Sequence, residues 1–378
     1  MAAICLDTVA TPAGSGREVT AMLAGTALPG AVGPAGETTA TTLRTVAGAT
    51  LLTLTCGSDE GPVPLTLDGG AVMPDPRPAR THLFAGLNVL VALRNGETAD
   101  GAADGPPDWL AFHRRPQKLQ AALIVERAPP GPEADRFAEA LAVLRPRLDG
   151  LPRVLLVGFD HPLGPPGAAP ESHPLNVPEA PGKARMTPPA PDRWRAPLGE
   201  GHLYEWLPHA WLSGAHAVAA LDLCDLLCPA PSGTTVFETA RASGALALLG
   251  RHVFPWKSRD PARPGFADHG CLQFDRPRGL RRWCVVPAQM PDNRPWRAHR
   301  AGEATAEAVF SFASVCAIAA IRPAGSCPGQ ALRPRSRWPI RSPANSAMPP
   351  QFRAPPRHGP PPTKAPTQAP GAWPSSLP

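Results

Sequence analysis

The 378-residue sequence has no run of apolar residues that approaches the ~20 needed to span a bilayer. Its first residues, MAAICLDTVATPAG, lack both the basic segment and the continuous apolar core of a secretory signal peptide. The eight cysteines form no CxxC pair and no regular disulfide framework. We therefore expect a protein without a membrane span, located in a reducing cytoplasm.

Carboxylates are missing from the C-terminal end of the chain, where none follows Glu307. Seven of the 37 lysines and arginines lie within residues 333–364, which leaves 30 basic against 31 acidic residues in the rest. The net charge of +6 therefore belongs to the end of the chain, and the body is close to neutral. Because a nucleic-acid partner would require a basic body, no nucleic-acid binding is expected.

The 53 prolines are concentrated outside the periodic segments, which indicates a folded body with long irregular excursions. Residues 323–378 combine proline and arginine with no carboxylate and no apolar period, so they predict a disordered tail. A frameshifted end would have a similar composition. Between the body and this tail, within 298–322, an alanine-rich stretch predicts a helix.

The body divides by composition into two parts. Residues 1–82 are rich in threonine, alanine and glycine, with short apolar runs, and predict a small β-rich appendage or partial disorder. From residue 83 to 297, buried-strand runs such as LNVLVAL, LQAALIVE and RVLLVGF alternate with segments of helical period. This alternation predicts an α/β domain with a parallel sheet of the doubly wound, nucleotide-binding kind.

The run AVAALDLCDLLC, residues 217–228, predicts a buried strand that delivers Asp222 and Asp225 at its downstream end. Ligands of open α/β sheets bind beyond the carboxyl ends of the strands, so the two acids are candidates for a binding site. The alternative is that both merely cap the following turn.

Three motifs follow one another in the body. A strand ends in Arg94-Asn95-Gly96-Glu97, a helix begins with DWLAFH at residues 108–113, and a later strand reads DLCDLL at residues 222–227. Over residues 87–287 this order resembles the glycosyltransferases of the family 2 and family 92 group. The resemblance implies a GT-A-like, Rossmann-like fold, with a mostly parallel sheet and flanking helices. It also implies transfer of a sugar from a nucleotide-sugar donor to a glycan or other hydroxyl acceptor.

The resemblance carries roles over to particular residues. Arg94, Asn95, Glu97 and Asp222 would contact the nucleotide-sugar, and Asp222 with Asp225 would hold a divalent cation, Mn²⁺ or Mg²⁺. The chain departs from the family pattern by an insertion before the DWLAFH helix and by Cys224 at the second aspartate of the D-x-D motif. Because a thiol is a poor ligand for a hard cation, a catalytically inactive glycan- or partner-binding relative stays open.

Sugar transfer also needs a base for the acceptor hydroxyl and positive charge for the departing diphosphate. The FADHG segment offers Asp268 and His269 as the base, with Asp275 behind them, although Asp-His-Gly also forms turns. Without a metal, Lys183 and Arg185 could neutralise the diphosphate, or they could be solvated loop charges.

A zinc-binding module is a third possibility, because thiolates and imidazole are the usual zinc ligands. Its ligands would be Cys224, Cys228, His269 and Cys271, whose C-x3-C and H-x-C spacings are unusual for zinc. The aromatic residues of the helical segments are expected to pack in the core rather than bind ligands. They are Trp109, Phe112, Trp206 and Trp211.

Overall fold

The computed structural model describes most of the chain up to residue 314. The described residues are 4–24, 32–34, 39–46, 49–57, 60–94, 105–127, 153–159, 199–223, 225–227, 232–254, 271–272, 281–291, 295–297, 300–301 and 306–314, with isolated residues between 129 and 194 and at 230. The predicted disordered tail, 323–378, lies outside them, and so does most of the helix predicted between the second and third strand runs of the body.

The described residues up to residue 78 form two small sheets. One has the strand order β4-β5-β2-β1-β8 and the other the order β3-β6-β7. All pairings in them are antiparallel except that of β8 with β1. The strands are β1 (Ile4–Ala13), β2 (Gly16–Ala24), β3 (Val32–Pro34), β4 (Thr39–Val46), β5 (Ala49–Cys56), β6 (Leu65–Leu67), β7 (Gly70–Val72) and β8 (Arg77–Pro78).

This β-rich part shares a hydrophobic core with the α/β part that follows. Val9, Met22 and Leu51 are buried in the same cluster as the large apolar residues of the α/β part. The indole Nε1 of Trp206 also donates a hydrogen bond across this contact to Asp7 Oδ2 at 3.0 Å. The two parts are therefore packed together, and the domain boundary predicted near residue 83 stays a prediction.

A nine-stranded mixed sheet forms the centre of the α/β part. Its order is β11-β10-β9-β12-β16-β14-β19-β13, with β15 paired to β14. The strands β11, β10, β9 and β12 are parallel, whereas β16 runs antiparallel to both of its neighbours. Its members are β9 (Asn88–Arg94), β10 (Ala121–Glu126), β11 (Arg153–Gly158), β12 (Ala217–Ala220), β13 (Asp225–Leu227), β14 (Ala245–Phe254), β15 (Cys271–Leu272), β16 (Arg281–Val285) and β19 (Ala306–Ser314); β17 (Trp296–Arg297) and β18 (Arg300–Ala301) form a separate hairpin.

Both faces of the parallel strands are buried. In β9, Val89, Val91 and Leu93 enter one apolar cluster, while Leu90 and Ala92 enter a second cluster on the opposite face. This alternation follows from the two-residue period of a strand, and burial on both sides is typical of parallel sheets. Because both faces of these strands are buried, their sequences are almost continuously apolar.

Three helices are described in the α/β part: α1 (Gly105–Arg114), α2 (Gly199–Leu207) and α3 (Val236–Ser243). At Pro208, α2 passes into a single π-helical turn, Pro208–Leu212. No helix in this described part is long and apolar enough to cross a bilayer. Of the predicted core aromatics, Trp206 and Trp211 are buried in the first apolar cluster and Trp109 in the second, against which Phe112 packs half-buried.

The helix predicted within 298–322 is wrong. Residues Ala306–Ser314 form strand β19, which pairs in parallel with β14 and antiparallel with β13. Alanine favours a helix only weakly, and the sequence AEAVFSFAS also contains valine and two phenylalanines, which fit a pleated strand. Pairing with strands distant in sequence therefore overrides the local preference.

The structure divides the run 217–228 into two strands at the acidic turn. β12 ends at Ala220, a turn follows, and Asp225 opens the separate strand β13. The turn is closed by a hydrogen bond from the Asp222 N–H to Asp225 Oδ2 at 3.0 Å. Aspartate side chains commonly bind the backbone of their own turn in this way, and this bond closes the turn that follows β12.

Candidate functional site

The four parallel strands have the order third, second, first, fourth in the chain, so the order reverses between β9 and β12. Ligands of open α/β sheets bind at such a switch point, beyond the carboxyl ends of the strands. β9 and β12 are hydrogen-bonded neighbours, and the Leu221 N–H extends this pairing to the Val91 carbonyl at 3.0 Å. The end of the first strand and the acidic turn thus lie side by side, although Asn95 itself is outside the described residues.

Asp222 and Asp225 form a closed turn at the end of β12. The Asp225 N–H donates to the Asp222 carbonyl at 2.9 Å, and the Asp222 N–H donates to Asp225 Oδ2. The Asp222 side chain is 44 % exposed, whereas the Asp225 side chain is fully buried. The capping alternative therefore describes Asp225, while Asp222 stays accessible to solvent.

Arg282 joins these two carboxylates. Its Nε donates to Asp225 Oδ2 at 2.6 Å, and its Nη2 donates to Asp222 Oδ2. Because β16 runs antiparallel to β12, its first residues lie at the carboxyl end of β12, and Arg282 reaches the turn from there. We call Asp222, Asp225 and Arg282 the acid–arginine cluster.

Two members of the cluster, Asp225 and Arg282, are shielded from water. Burial raises the pKa of the Asp225 carboxyl to about 6, against the attraction of Arg282. Burial by itself lowers the pKa of Arg282, but the charges of Asp222 and Asp225 outweigh it and raise that pKa, so Arg282 stays charged. Asp225 Oδ1 is buried without a hydrogen-bond partner among the described atoms.

Helix α1 fixes the strand that carries Asp225. The indole Nε1 of Trp109 donates to the Asp225 carbonyl at 2.8 Å, and His113 Nε2 accepts the Leu227 N–H at 2.9 Å. His113 Nδ1 donates to the Trp109 carbonyl at 2.7 Å, which sets the tautomer. Burial lowers the pKa of His113 to about 4, so the ring is neutral near pH 7. The helix motif and the acidic motif are thus in direct contact.

Arg94 lies at the same edge of the sheet but in a closed ion pair. It ends β9 opposite Glu126, the last residue of β10, and its Nη1 donates to Glu126 Oε2. The two side chains are only 1 % and 2 % exposed. The structure therefore places Arg94 between the strand ends, and its contact with a nucleotide stays a prediction.

The other predicted residues are not brought into this site by the described structure. Arg185 is an exposed isolated residue, and only the backbone of Cys271 is described, in β15. The following lie outside the described residues: Asn95, Glu97, Lys183, Cys224, Cys228, Asp268, His269 and Asp275. Their proposed roles in binding, catalysis and zinc ligation stay predictions.

Sequence reasoning missed Arg282. The available signal was an arginine directly before the apolar run Trp283–Val286, because arginine is rarely buried unless it is paired. The identity of its partners could not be read locally, since Asp225 and Asp222 lie 57 and 60 residues earlier.

The carboxylate oxygens of the turn do not fit a divalent cation that Asp222 and Asp225 would share. Mn²⁺ and Mg²⁺ take oxygen ligands, yet one oxygen of each carboxylate, Oδ2, is bound to Arg282, and the other oxygen of Asp225 is buried. Within the described residues, no group of three or more histidine, cysteine, aspartate or glutamate side chains could hold a metal ion.

No protein-family model matches the chain, and no curated protein matches it. The likeness to glycosyltransferases therefore depends on the three motifs alone, and membership of that family stays a prediction.

Proposed function

We propose that the chain is a glycosyltransferase that binds a nucleotide-sugar donor in the crevice beyond β9 and β12. It transfers the sugar to a glycan or other hydroxyl acceptor. The observation that carries this proposal is the half-exposed Asp222 at the switch point of a sheet whose parallel strands have the nucleotide-binding order. A GT-A-like fold and a cytoplasmic location are part of the same proposal.

Asp222 is suited to bind donor hydroxyl groups. One of its oxygens is oriented by Arg282, which leaves the exposed part of the carboxylate to accept hydrogen bonds from a ribose or a sugar. Hydrogen bonds of this charged kind contribute about 1.5–3 kcal/mol each. Asp222 is therefore a binding residue in this proposal.

The transfer step needs a base and a cationic partner besides Asp222. A base, for which Asp268 and His269 are the candidates, takes the acceptor proton as the acceptor oxygen bonds to the anomeric carbon. The bond from that carbon to the diphosphate breaks, and the nucleoside diphosphate leaves with the electron pair. Lys183 and Arg185 are the candidates that stabilise its charge.

Titration of the full chain with uridine and guanosine diphosphates and their sugars tests the proposal. We expect one of them to raise the melting temperature, and Asp222→Asn to weaken its binding by tenfold or more. Glu18→Gln, an exposed acid on β2, is the matched control and should leave binding unchanged. Equal binding by wild type and Asp222→Asn would contradict the site, and absence of any nucleotide binding would contradict the function.

The second candidate is a non-catalytic glycan- or partner-binding relative of the same fold. The observation that favours it is the engagement of both turn carboxylates by Arg282, which removes the ligands of a catalytic cation. Release of nucleoside diphosphate from a bound donor distinguishes the two. The enzyme releases it with or without an acceptor, because water can replace the acceptor slowly, whereas the relative binds without turnover.

A further inference from the structure

We propose that Arg282 is a built-in cation that occupies the position of a divalent metal between Asp222 and Asp225. The turn then binds no Mn²⁺ or Mg²⁺, and the donor binds without either ion. The exclusion of the metal depends only on the acid–arginine cluster, whereas the statement about the donor rests on the proposed function.

The guanidinium uses the atoms that a bridging metal would need. Both of its bonds end on Oδ2 atoms, and the Asp222 N–H also donates to Asp225 Oδ2. The oxygen that remains on Asp225 is Oδ1, which is enclosed by protein. A cation that bridged the two carboxylates would therefore have to replace Arg282 rather than bind beside it.

Arg282 cannot easily move away to make room. Its side chain is 3 % exposed, and its Nη1 donates to the Arg281 carbonyl at 3.3 Å in addition to the two carboxylate bonds. The strand that carries it, β16, lies inside the sheet between β12 and β14. A metal ion that entered with Arg282 in place would be repelled by a buried positive charge, which is weakly screened.

The charge of the cluster also bears on donor recognition. Two carboxylates and one guanidinium leave a formal charge of −1, whereas two carboxylates and a divalent ion would be neutral. The cluster therefore does not attract a diphosphate, and the positive partners of the donor phosphates must be other lysine or arginine side chains. Ribose or sugar hydroxyls are the donor groups that suit Asp222.

Electron paramagnetic resonance of Mn²⁺ added to the full chain, without nucleotide, tests the exclusion. We expect no site in the wild type whose loss follows Asp222→Asn. Arg282→Ala should create one site per chain, because it leaves two adjacent carboxylates and the space of the guanidinium. Arg281→Ala is the matched control: it removes an exposed arginine one residue away and should create no site.

Either of two results would overturn the assignment of Arg282 to the position of the metal. The first is an Mn²⁺ site in the wild type that Asp222→Asn removes. The second is a folded Arg282→Ala protein that binds no Mn²⁺, or binds it equally when Asp222→Asn is added. Should Arg282→Ala fail to fold, the wild-type comparison with Asp222→Asn still decides, since it does not use that variant.

Donor titration in EDTA separates this inference from the proposed function. We expect the nucleotide that binds the wild type to bind with the same affinity, within a factor of two, in EDTA and in Mn²⁺. Binding that requires Mn²⁺ would overturn the inference and leave the proposed function in place. A chain that excludes Mn²⁺ but binds no nucleotide would overturn the function and leave the metal exclusion in place.

Discussion

Two groups of arginine and carboxylate side chains lie at the carboxyl ends of neighbouring strands, and they differ in how much water reaches them. In the Arg94–Glu126 pair both side chains are almost completely buried. In the acid–arginine cluster Arg282 and Asp225 are buried, but nearly half of the Asp222 side chain is exposed. The first group is buried between two strand ends, while the second leaves a carboxylate exposed at a strand end.

The difference in exposure predicts different roles in stability and in binding for these two groups. Removal of one partner from a buried ion pair costs about 3–5 kcal/mol, because the other charge is left without compensation. An exposed pair contributes about 0–1 kcal/mol. We therefore expect the Arg94–Glu126 pair to contribute mainly to folding stability and the exposed carboxylate of Asp222 mainly to ligand binding.

Glu126→Gln should have the largest effect on folding. The change leaves the buried guanidinium of Arg94 without its carboxylate partner and should lower the free energy of unfolding by about 3 kcal/mol or more. Urea denaturation measures the loss, with Glu18→Gln on the exposed face of β2 as the control. A loss under about 1 kcal/mol would mean that other contacts of Arg94 hold the strand ends together.

His113→Gln should change how stability depends on pH, because His113 supports the strand that carries Asp225. The pKa of His113 is about 4 in the folded chain, against the ordinary histidine value of 6.5 that applies when the chain is unfolded. Between these values the unfolded chain binds more protons, so this histidine makes stability rise with pH and fall on acidification. The contribution is about 3 kcal/mol, at 1.36 kcal/mol per pKa unit.

Melting temperatures of wild type and His113→Gln between pH 4 and 7 isolate this contribution. Burial raises the pKa of Glu205 to about 7 and that of Asp225 to about 6, which makes stability fall as pH rises. These groups are present in both proteins and cancel in the difference. The melting temperature of His113→Gln should therefore fall least below that of the wild type, or even exceed it, near pH 4.5. A difference in melting temperature that does not change with pH would contradict a neutral buried ring.

Asp222→Asn should have a smaller effect on folding than either change. Its carboxylate is half-exposed, so the loss of its pairing with Arg282 should lower the free energy of unfolding by only about 1 kcal/mol. Asp75→Asn, on an exposed aspartate after β7, is the matched control. A loss as large as that of Glu126→Gln would remove the distinction between the buried Arg94–Glu126 pair and the acid–arginine cluster.

The parallel part of the sheet could be predicted because its signals are local. Apolar runs such as residues 121–126 are long enough for a strand, and proline and glycine mark their ends. The Arg282 contacts could not be predicted, since a pair separated by 57 residues leaves no trace in a short window. Strand β19 was mistaken for a helix for the same reason: its partners β13 and β14 are distant in sequence.

The candidate site was predicted only in part. The position of Asp222 beside the end of β9 follows from the order of the parallel strands, which the alternating pattern indicates. The different exposures of Asp222 and Asp225 depend on the turn between them and on Arg282, so the sequence alone made both carboxylates ligands of one cation. Burial of Arg94 likewise depends on its register with Glu126 across two strands.

Lys118→Ala should have the smallest effect on the free energy of unfolding, because it removes the most exposed of the ion pairs compared here. Lys118 Nζ lies 2.8 Å from Glu238 Oε1, with the two side chains 65 % and 31 % exposed. We expect a loss of at most about 0.5 kcal/mol, which high salt should abolish. The cap of α3 should survive, because Thr235 and Glu238 bind each other's backbone N–H without Lys118.

The contact between Lys118 and Glu238 can also be followed through the pKa of Glu238. The hydrogen bond from Lys118, followed by those from Thr235, lowers the pKa of Glu238 to about 2. Lys118→Ala should raise that pKa toward the ordinary value of a glutamate, as followed by NMR titration of the side-chain carboxyl. Thr235→Ala is the reference change, with an expected cost of about 1 kcal/mol for the lost cap. If Lys118→Ala costs as much as Thr235→Ala, exposure does not set the energy of these pairs, and the contrast between Glu126 and Asp222 needs another cause.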